Sequence, residues 1–330
     1  MKKTAAIILT ALTGVGLLST AATATQTFPG DNGKIVFIRR GDLWSMNERG
    51  RNERRLTNTK ARETAPTVSP DGRRIAFTRM RGDYRGAIFT MRMDGTGLRR
   101  LTGFDNVNFR PSFSPNGTKI LYTWSSGEDN AQVRVMNRGG ANKKKLTGTR
   151  DNLGPAWAPG GKRIAYFNRL GRRPGLYVMN ANGSDKERIL VGPLSSVDDW
   201  GPDRRILYTT ADGHIGAINP NGSDNRLLTS GRRWNHSPSN SPDGTKIAFQ
   251  RCRGSKCRVF LIQEGSKRRL SGTTRPSDGP TWSPDNQRIV APFFRARKKQ
   301  WDLKLLTTGG SSVWLTNSGG IREGAAWQSR

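Results

Sequence analysis

Short apolar runs bounded by Gly, Asn, Asp and Ser follow one another along the chain from Ile35 onward. Examples are Ile75-Ala76-Phe77 and Leu176-Tyr177-Val178, which are too short for helices and rich in β-branched and aromatic residues. Between them lie turn sequences such as SPDG and NANGSD, in which Asp or Asn bonds its own backbone and Gly takes a positive φ. The pattern therefore predicts an all-β chain of short strands joined by tight turns.

The strands belong to a repeat of four phrases in fixed order, and each phrase occurs seven times. An opening motif such as VSPDG or WAPGG precedes a β-rich triplet that starts with Ile, then a phrase such as LYVMN, then one such as RRLT. The leading isoleucines of the triplets are 40, 45, 44, 42, 41 and 42 residues apart. Four short strands per unit of this length are typical of a propeller blade.

We therefore predict a seven-bladed β-propeller of four-stranded blades over residues 33–330. The first repeat lacks an opening motif, whereas Ala325 to Arg330, read as AAWQSR, is an opening motif with nothing after it. If this segment forms the innermost strand of the first blade, the two ends of the chain close the ring. The aromatic residues of the opening motifs are then expected to pack between blades: Trp157, Trp200, Trp282 and Trp327. Asp71, Asp243 and Asp285 are expected to be turn residues.

Phrases such as PAWAPGGKRIAYFN followed by LYVMNANGSDKERIL resemble the β-propeller repeats of TolB-like proteins. Related repeats occur in the propellers of prolyl-oligopeptidase relatives and in oligogalacturonate lyases. The resemblance covers residues 33 to 330 and implies the propeller fold, but one scaffold hosts unrelated chemistries. The sequence differs from TolB because it has seven repeats rather than six, and because no separate α/β domain precedes them.

The N-terminal residues read as a secretory signal. Lys2 and Lys3 precede an apolar run, and Ala22-Thr23-Ala24 offers the small residues of a cleavage site. We expect a signal peptide over residues 1–24, a lead-in over residues 25–32, and a protein exported to the periplasm or the medium, not integral to the membrane. In an oxidising compartment, Cys252 and Cys257 are expected to form a disulfide across a four-residue hairpin loop. We interpret that bond as a structural staple.

The formal net charge is +31, which suits polyanionic partners or reflects a compositional preference for Arg. The connections between the second and third phrases carry cations interleaved with aromatic rings, a combination that holds anionic groups while stacking rings. A candidate polyanion-binding set follows from these loops: Arg79, Arg81, Arg172, Arg173, Arg295, Arg297, Lys298 and Lys299.

A second candidate site is the polar rim where the chain enters each innermost strand, since propellers bind small ligands at the axial pore. Its members are Glu63, Asn108, Arg110, Asn152, Asp198, His236, Asp278 and Glu323. The alternative interpretation of this rim is a hydrogen-bonded ring without a ligand. We predict no catalytic residues, metal or cofactor, because neither a nucleophile motif nor a metal-binding motif is present. An acid/base pair of His236 with Glu63, Asp278 or Glu323 is the conceivable exception.

These observations favour an exported, monomeric, non-catalytic binding module for an anionic polymer or acidic protein. Two alternatives stay open. One is a lyase or hydrolase of acidic glycans acting at the pore rim, and the other is a protein-interaction scaffold in a cell-envelope complex, as the TolB resemblance implies.

Overall fold

The computed structural model describes residues 26–127, 130–148, 151–170, 173–272, 279–321 and 325–330. Over these residues the chain forms β-strands and one three-residue 3-10 helix, Ala296–Lys298, so the predicted all-β class is confirmed. The proposed signal peptide lies outside the described residues. In the part of the chain that is described, no helix is long and apolar enough to cross a membrane.

The strands form antiparallel groups in chain order. The first sheet has the order β28-β1-β2-β3, and its strands are β1 (Asn32–Arg39), β2 (Asp42–Met46), β3 (Arg54–Arg55) and the C-terminal β28 (Ala325–Ser329). The next sheet joins two groups of four: β4 (Arg62–Val68), β5 (Arg74–Met80), β6 (Gly86–Arg92) and β7 (Arg99–Arg100), then β8 (Val107–Phe113), β9 (Lys119–Ser125), β10 (Ala131–Asn137) and β11 (Lys144–Lys145). The link between the two groups is one parallel pair, Gly86 with Val107.

Four further sheets each contain four strands in sequence order. The third sheet comprises β12 (Asn152–Trp157), β13 (Arg163–Asn168), β14 (Gly175–Asn180) and β15 (Glu187–Val191). The fourth comprises β16 (Leu194–Trp200), β17 (Ile206–Thr210), β18 (Ile215–Ile218) and β19 (Arg226–Leu227). The fifth comprises β20 (Trp234–Asn240), β21 (Lys246–Arg253), β22 (Lys256–Gln263) and β23 (Ser266–Arg269). The sixth comprises β24 (Thr281–Trp282), β25 (Arg288–Arg295), β26 (Gln300–Thr307) and β27 (Ser312–Trp314).

The core lies between neighbouring sheets. The four opening-motif tryptophans are at most 3% exposed: Trp157, Trp200, Trp282 and Trp327. Trp157, for example, packs with Leu121 and Val133 of the preceding strand group, and Trp327 packs with Phe37 of its own sheet and Leu303 of the sixth. This placement confirms that these tryptophans pack between successive strand groups.

Side-chain oxygens of the repeated phrases accept hydrogen bonds that fix the turns and the outer strands. In the SPDG turn, Ser69 Oγ accepts from the amide of Arg74, and Asp71 Oδ1 accepts from the amide of Arg73 at 3.1 Å. Asp243 and Asp285 accept equivalent turn bonds, so the predicted turn role of these aspartates is confirmed. The hydroxyl of the Thr that ends an RRLT phrase accepts a hydrogen bond from a backbone amide of the third strand of its group. Thr102 Oγ1, for example, accepts from the amide of Ile88 at 2.9 Å. These bonds fix the short outer strands to the sheet.

Strand direction gives the molecule two different faces. The SPDG turns and the connections into the outer strands share one end of every sheet, which we call the turn face. The connections between second and third strands, such as residues 81–85 and 296–299, share the other end with the segments that enter the innermost strands. We call this end the loop face.

Candidate functional site

The loop face carries many of the cations that the sequence predicted for polyanion binding. Arg81 is exposed beside Gly82 and Asp83, and its guanidinium lies 4.2 Å from the ring centroid of Phe104. The other exposed members of the predicted set are Arg173, Arg297, Lys298 and Lys299. Arg172 lies outside the described residues.

Two cations of the predicted set are used inside the fold. Arg79 Nε donates to Glu63 Oε1 at 2.7 Å, and the Arg79 guanidinium lies 4.5 Å from the ring centroid of Phe89. The side chain of Arg79 is 12% exposed. Arg295 lies 4.0 Å from the Trp314 ring centroid and donates from Nη2 to a backbone carbonyl. These two arginines therefore stabilise the sheets and offer little of their guanidinium groups to a partner.

Arginines that stack on an aromatic ring recur in several repeats, and the sequence analysis did not predict them. Arg39 and Arg251 stand, like Arg79, four residues after the isoleucine of their triplet. The guanidinium of Arg39 lies 4.6 Å from the Trp44 ring, and that of Arg251 lies 4.6 Å from the Phe260 ring. Each also has a polar partner: Arg39 binds both oxygens of the Glu53 carboxylate, and Arg251 Nε donates to an amide oxygen at 2.8 Å. The available signal was an Arg at a fixed distance from the triplet.

An open cleft of about 670 Å³ lies on the loop face between two segments of the first and second strand groups. Its walls are residues 59–62, which lead into β4, and residues 79–83, which follow β5. Lys60, Arg62 and Arg81 are exposed in these walls, with Asp83 as the acidic residue among them. The cleft therefore presents a concentrated positive charge at the surface.

The Glu63 carboxylate is buried beside this cleft and is fully internal. It accepts hydrogen bonds from Thr57 Oγ1 at 3.0 Å and Thr59 Oγ1 at 3.2 Å in addition to the Arg79 bond. Burial raises the pKa of Glu63, and the Arg79 cation offsets part of that effect. Glu63 on β4 thus links the β3–β4 connection to Arg79 on β5.

Two of the asparagines at the equivalent repeat position, Asn108 and Asn152, make similar connections. Asn108 is buried and its Nδ2 donates to the carbonyl of Gly86 at 3.1 Å. Asn152 is also buried, and its Nδ2 donates to Gly148 O while its Oδ1 accepts from Asn168. Asp278 and Glu323, the remaining acidic rim residues of the prediction, lie outside the described residues.

Arg110 and Asp198 occupy consecutive positions of the repeat unit, in different repeats. The strand β8 has a bulge between Phe109 and Ser112, just before the aromatic residue Phe113 of the opening motif. Arg110 lies in this bulge and has a left-handed backbone with φ of 53°. Asp198 stands at the following position, where Pro66, Pro111 and Pro155 stand in other repeats. This departure from the repeat was the available sequence signal for an unusual residue.

Asp198 is a buried carboxylate in a polar nest. It accepts from Ser196 Oγ and Thr209 Oγ1, both at 2.8 Å. Burial raises the pKa of Asp198 to about 7, and the charge of Asp199 acts in the same direction. The two hydrogen bonds and the charge of Arg110 oppose this rise. The neighbouring Asp199 accepts from the backbone and side chain of Asn240, and burial raises its pKa to about 6. The pair therefore binds protons within the physiological pH range.

Asp199 also reaches a smaller cavity on the turn face. This cavity has a volume of about 200 Å³, and the lead-in residues 26–29 form part of its wall. Thr27 Oγ1 donates to the carbonyl of Trp282, and Ser329 Oγ donates to that of Pro29, so the lead-in is fixed to the sixth and first sheets.

His236 is buried in the fifth sheet, and no acid/base partner of the predicted pair lies within hydrogen-bond distance among the described residues. Its Nδ1 lies 3.1 Å from Ser237 Oγ and its Nε2 lies 3.2 Å from Cys252 Sγ. Burial lowers the pKa of His236 to about 4, so the imidazole is neutral. The predicted disulfide is confirmed, because Cys252 pairs with Cys257 across the β21–β22 hairpin.

Comparison with known proteins identifies the family. Residues 27–198, just over half of the chain, match the TolB beta propeller domain. A stretch of 118 residues is 34% identical to the TolB homologue of Chlorobium luteolum; it covers 35% of this chain and 27% of that protein, so the chain matches about a quarter of its relative's length.

Two solved structures show the same fold at low identity. TolB from Acinetobacter baumannii superposes with a TM-score of 0.59 at 17% identity, over 92% of this chain and 81% of that one. Oligogalacturonate lyase from Vibrio parahaemolyticus gives a TM-score of 0.63 at 12% identity, over 87% of this chain and 86% of that one. The strand order, the tryptophans between sheets and the matched domain together show that the chain belongs to the TolB β-propeller family.

Proposed function

We propose that this chain is an exported, non-catalytic β-propeller with seven blades that binds an acidic partner on its loop face. The blade count is supported by seven successive repeats and by the pairing of the C-terminal β28 with β1, which adds a fourth strand to the first sheet. Export is supported by the signal-like residues 1–24 and by the disulfide. We further propose that residues 33–330 form the propeller and that the chain acts as a monomer.

The observation that carries the binding proposal is the cationic cleft of about 670 Å³ between residues 59–62 and 79–83. Lys60, Arg62 and Arg81 are exposed there, and each side chain is long enough for its cationic group to contact a bound carboxylate or phosphate. The exposed Arg173, Arg297, Lys298 and Lys299 extend the positive surface to other loops on the same face. A charged face of this kind attracts polyanions over about one Debye length.

Two of the side chains considered for acid/base chemistry at the rim are engaged elsewhere in the described part of the chain. Glu63 is held by Arg79, Thr57 and Thr59, and His236 faces a disulfide. Membership of the TolB propeller family supports a protein of the cell envelope as the partner, and the charge of the cleft favours an acidic one. An acidic envelope polymer fits the same charge.

A panel of polyanions at graded salt tests the proposal. The probes are a polyuronate, a sulfated glycan and a single-stranded oligonucleotide, and binding is measured by fluorescence anisotropy. We expect affinity to fall linearly on logarithmic axes as salt rises. Replacing Lys60, Arg62 and Arg81 by Gln is expected to weaken binding and to reduce the salt slope for the oligonucleotide by about one unit for each phosphate that is no longer neutralised.

The matched control removes the same charge elsewhere. Arg99 in β7 and Lys144 and Lys145 in β11 are exposed on outer strands, and none of them lines the cleft. Their replacement by Gln changes the net charge equally but leaves the cleft intact. Equal weakening by the two triple variants would show that net charge alone drives binding, and salt-independent binding would refute the electrostatic basis altogether. A pull-down from envelope extract with the two variants then separates a protein partner from a polymer.

A further inference from the structure

The strands β20, β21 and β22 bring a histidine against two cysteines in the interior of the fifth sheet. Cys252 and Cys257 are directly opposed in the β21–β22 register, and His236 on β20 is paired with Gln250, two residues before Cys252. The potential ligand atoms of His236, Cys252 and Cys257 all lie within 4.8 Å of one another. All three side chains are buried, so the group is shielded from solvent.

The imidazole is oriented for metal binding through Nε2. Nδ1 lies 3.1 Å from Ser237 Oγ, and if Nδ1 donates to that hydroxyl, the lone pair of Nε2 points to Cys252 Sγ at 3.2 Å. Ligating histidines characteristically hold their second ring nitrogen in a hydrogen bond of this kind. The disulfide, however, leaves both sulfurs without the thiolate form that binds a metal.

We infer that His236, Cys252 and Cys257 form a redox-gated site for Zn²⁺ or Cu⁺, which binds the ion when the disulfide is reduced and releases it on oxidation. One imidazole and two thiolates are the donors that these ions prefer. Tetrahedral zinc requires its ligand atoms to be about 3.6 to 3.8 Å apart. Zinc binding requires the freed thiols to reach this spacing by rotation about χ1 within the existing hairpin.

The redox step needs an external dithiol, whose class is that of exported thiol–disulfide reductants. The dithiol transfers two electrons and two protons: the Cys252–Cys257 bond breaks, two thiols form, and the reductant becomes a disulfide. Metal binding then displaces the two thiol protons, and two thiolates with Zn²⁺ leave the buried site without net charge. Release reverses the thiol–disulfide exchange: an exported disulfide takes two electrons from the two thiolates and two protons from solvent and becomes a dithiol, and the Cys252–Cys257 bond forms again.

Zinc binding to the full mature chain tests the inference. The protein is reduced with a phosphine, freed of reductant under nitrogen, and titrated with Zn²⁺ against a chromophoric chelator. We expect one tightly bound Zn²⁺ per reduced chain and none above background in the oxidised chain. Co²⁺ in place of Zn²⁺ is expected to give a thiolate charge-transfer band in the reduced protein alone.

Matched variants separate the site from other metal-binding residues. Cys252→Ser with Cys257→Ser is expected to abolish binding, and His236→Gln to weaken it at least about tenfold. His214→Gln, which changes the other histidine of the chain in the turn after β17, is the control and is expected to bind like the wild type. Circular dichroism of the reduced protein checks that the fold persists.

Three results would overturn the inference. These are equal zinc binding by the oxidised chain, retention of the site in the double-serine variant, and unfolding of the reduced chain in the presence of zinc. Because none of the cleft cations takes part, a failure here leaves the polyanion proposal unaffected, and the reverse is equally true.

Discussion

The C-terminal strand is expected to contribute strongly to stability through Trp327. This side chain is 3% exposed and packs with residues of the first and sixth sheets, Phe37 and Leu303 among them. A buried Trp removes about 150–250 Å² from water, which at about 25 cal/mol/Å² stabilises the fold by about 4–6 kcal/mol. Core Trp-to-Ala replacements cost about 3–5 kcal/mol. We therefore expect Trp327→Ala to lower the free energy of unfolding by about 3–5 kcal/mol.

Deleting residues 325–330 is expected to cost at least as much. The deletion also removes the ladder between β28 and β1, the mutual backbone bonds of Asp31 and Arg330, and the bond from Gln328 Nε2 to Gly72 O. For a chain of this size, each kcal/mol lowers the melting temperature by about 2 °C, so Trp327→Ala is expected to lower it by about 6–10 °C.

Urea unfolding followed by circular dichroism measures both effects, and Trp327→Phe is the matched control. Trp327 Nε1 has no hydrogen-bond partner among the described residues, so Phe keeps most of the ring packing and leaves no acceptor unpaired. We expect this variant to be destabilised by less than about 1.5 kcal/mol. A wild-type free energy of unfolding for Trp327→Ala, or for the truncated chain, would refute the reasoning that this strand joins the ends of the chain.

Two further predictions concern buried carboxylates. Burial raises the pKa of Asp198 from its ordinary value of 3.8 to about 7. Between these values the folded chain keeps a proton that the unfolded chain has lost, so the stability that this group contributes falls as pH rises from about 4 to about 7. Asp198→Asn is expected to flatten that fall, measured as the difference in free energy of unfolding between about pH 4.5 and about pH 8, and an unchanged difference would contradict the assignment. Glu63→Ala is expected to cost about 3 kcal/mol because it leaves the Arg79 cation without its counter-charge; adding Arg79→Met is expected to recover part of that stability in urea unfolding, and strictly additive effects in the double variant would show that the two side chains are not coupled.

The repeat explains why the sequence predicted the strands well. Six of the seven isoleucines that begin a triplet, among them Ile75 and Ile164, are fully buried in the second strand of their group, and Ile247 is half-buried. The turn residues of SPDG make the bonds that their chemistry requires. Seven concordant copies reinforce one another, whereas a single segment of this length supports several assignments. The same periodicity placed the tryptophans between strand groups.

The rim was harder to predict because sequence position does not give side-chain direction. Glu63, Asn108 and Asn152 share a position in the repeat, and their polar atoms bond to the backbone or side chains near them. The bulge in the innermost strands, marked by positive φ at Ala65 and Arg110, turns these residues away from the regular alternation. An alternating pattern carries no signal for such a bulge except the Pro that follows it.

The arginine content of the chain has two physical causes that can be separated. Arg39, Arg79 and Arg251 lie on aromatic rings and hold polar partners, so fold stability accounts for them. Cation–aromatic pairs of this kind contribute about 0.5–2 kcal/mol each, and they require Arg in place of Lys where the planar group must both stack and donate. Arg81 in the loops also stacks on a ring, at 4.2 Å from the Phe104 centroid, although its side chain is exposed. Arg99 and Arg100 lie on an outer strand, where charge prevents edge-to-edge aggregation of sheets. Lys60 and Arg81 line a concave surface, so this reason does not apply to them. We therefore propose that recognition of an anion adds to these causes at that cleft.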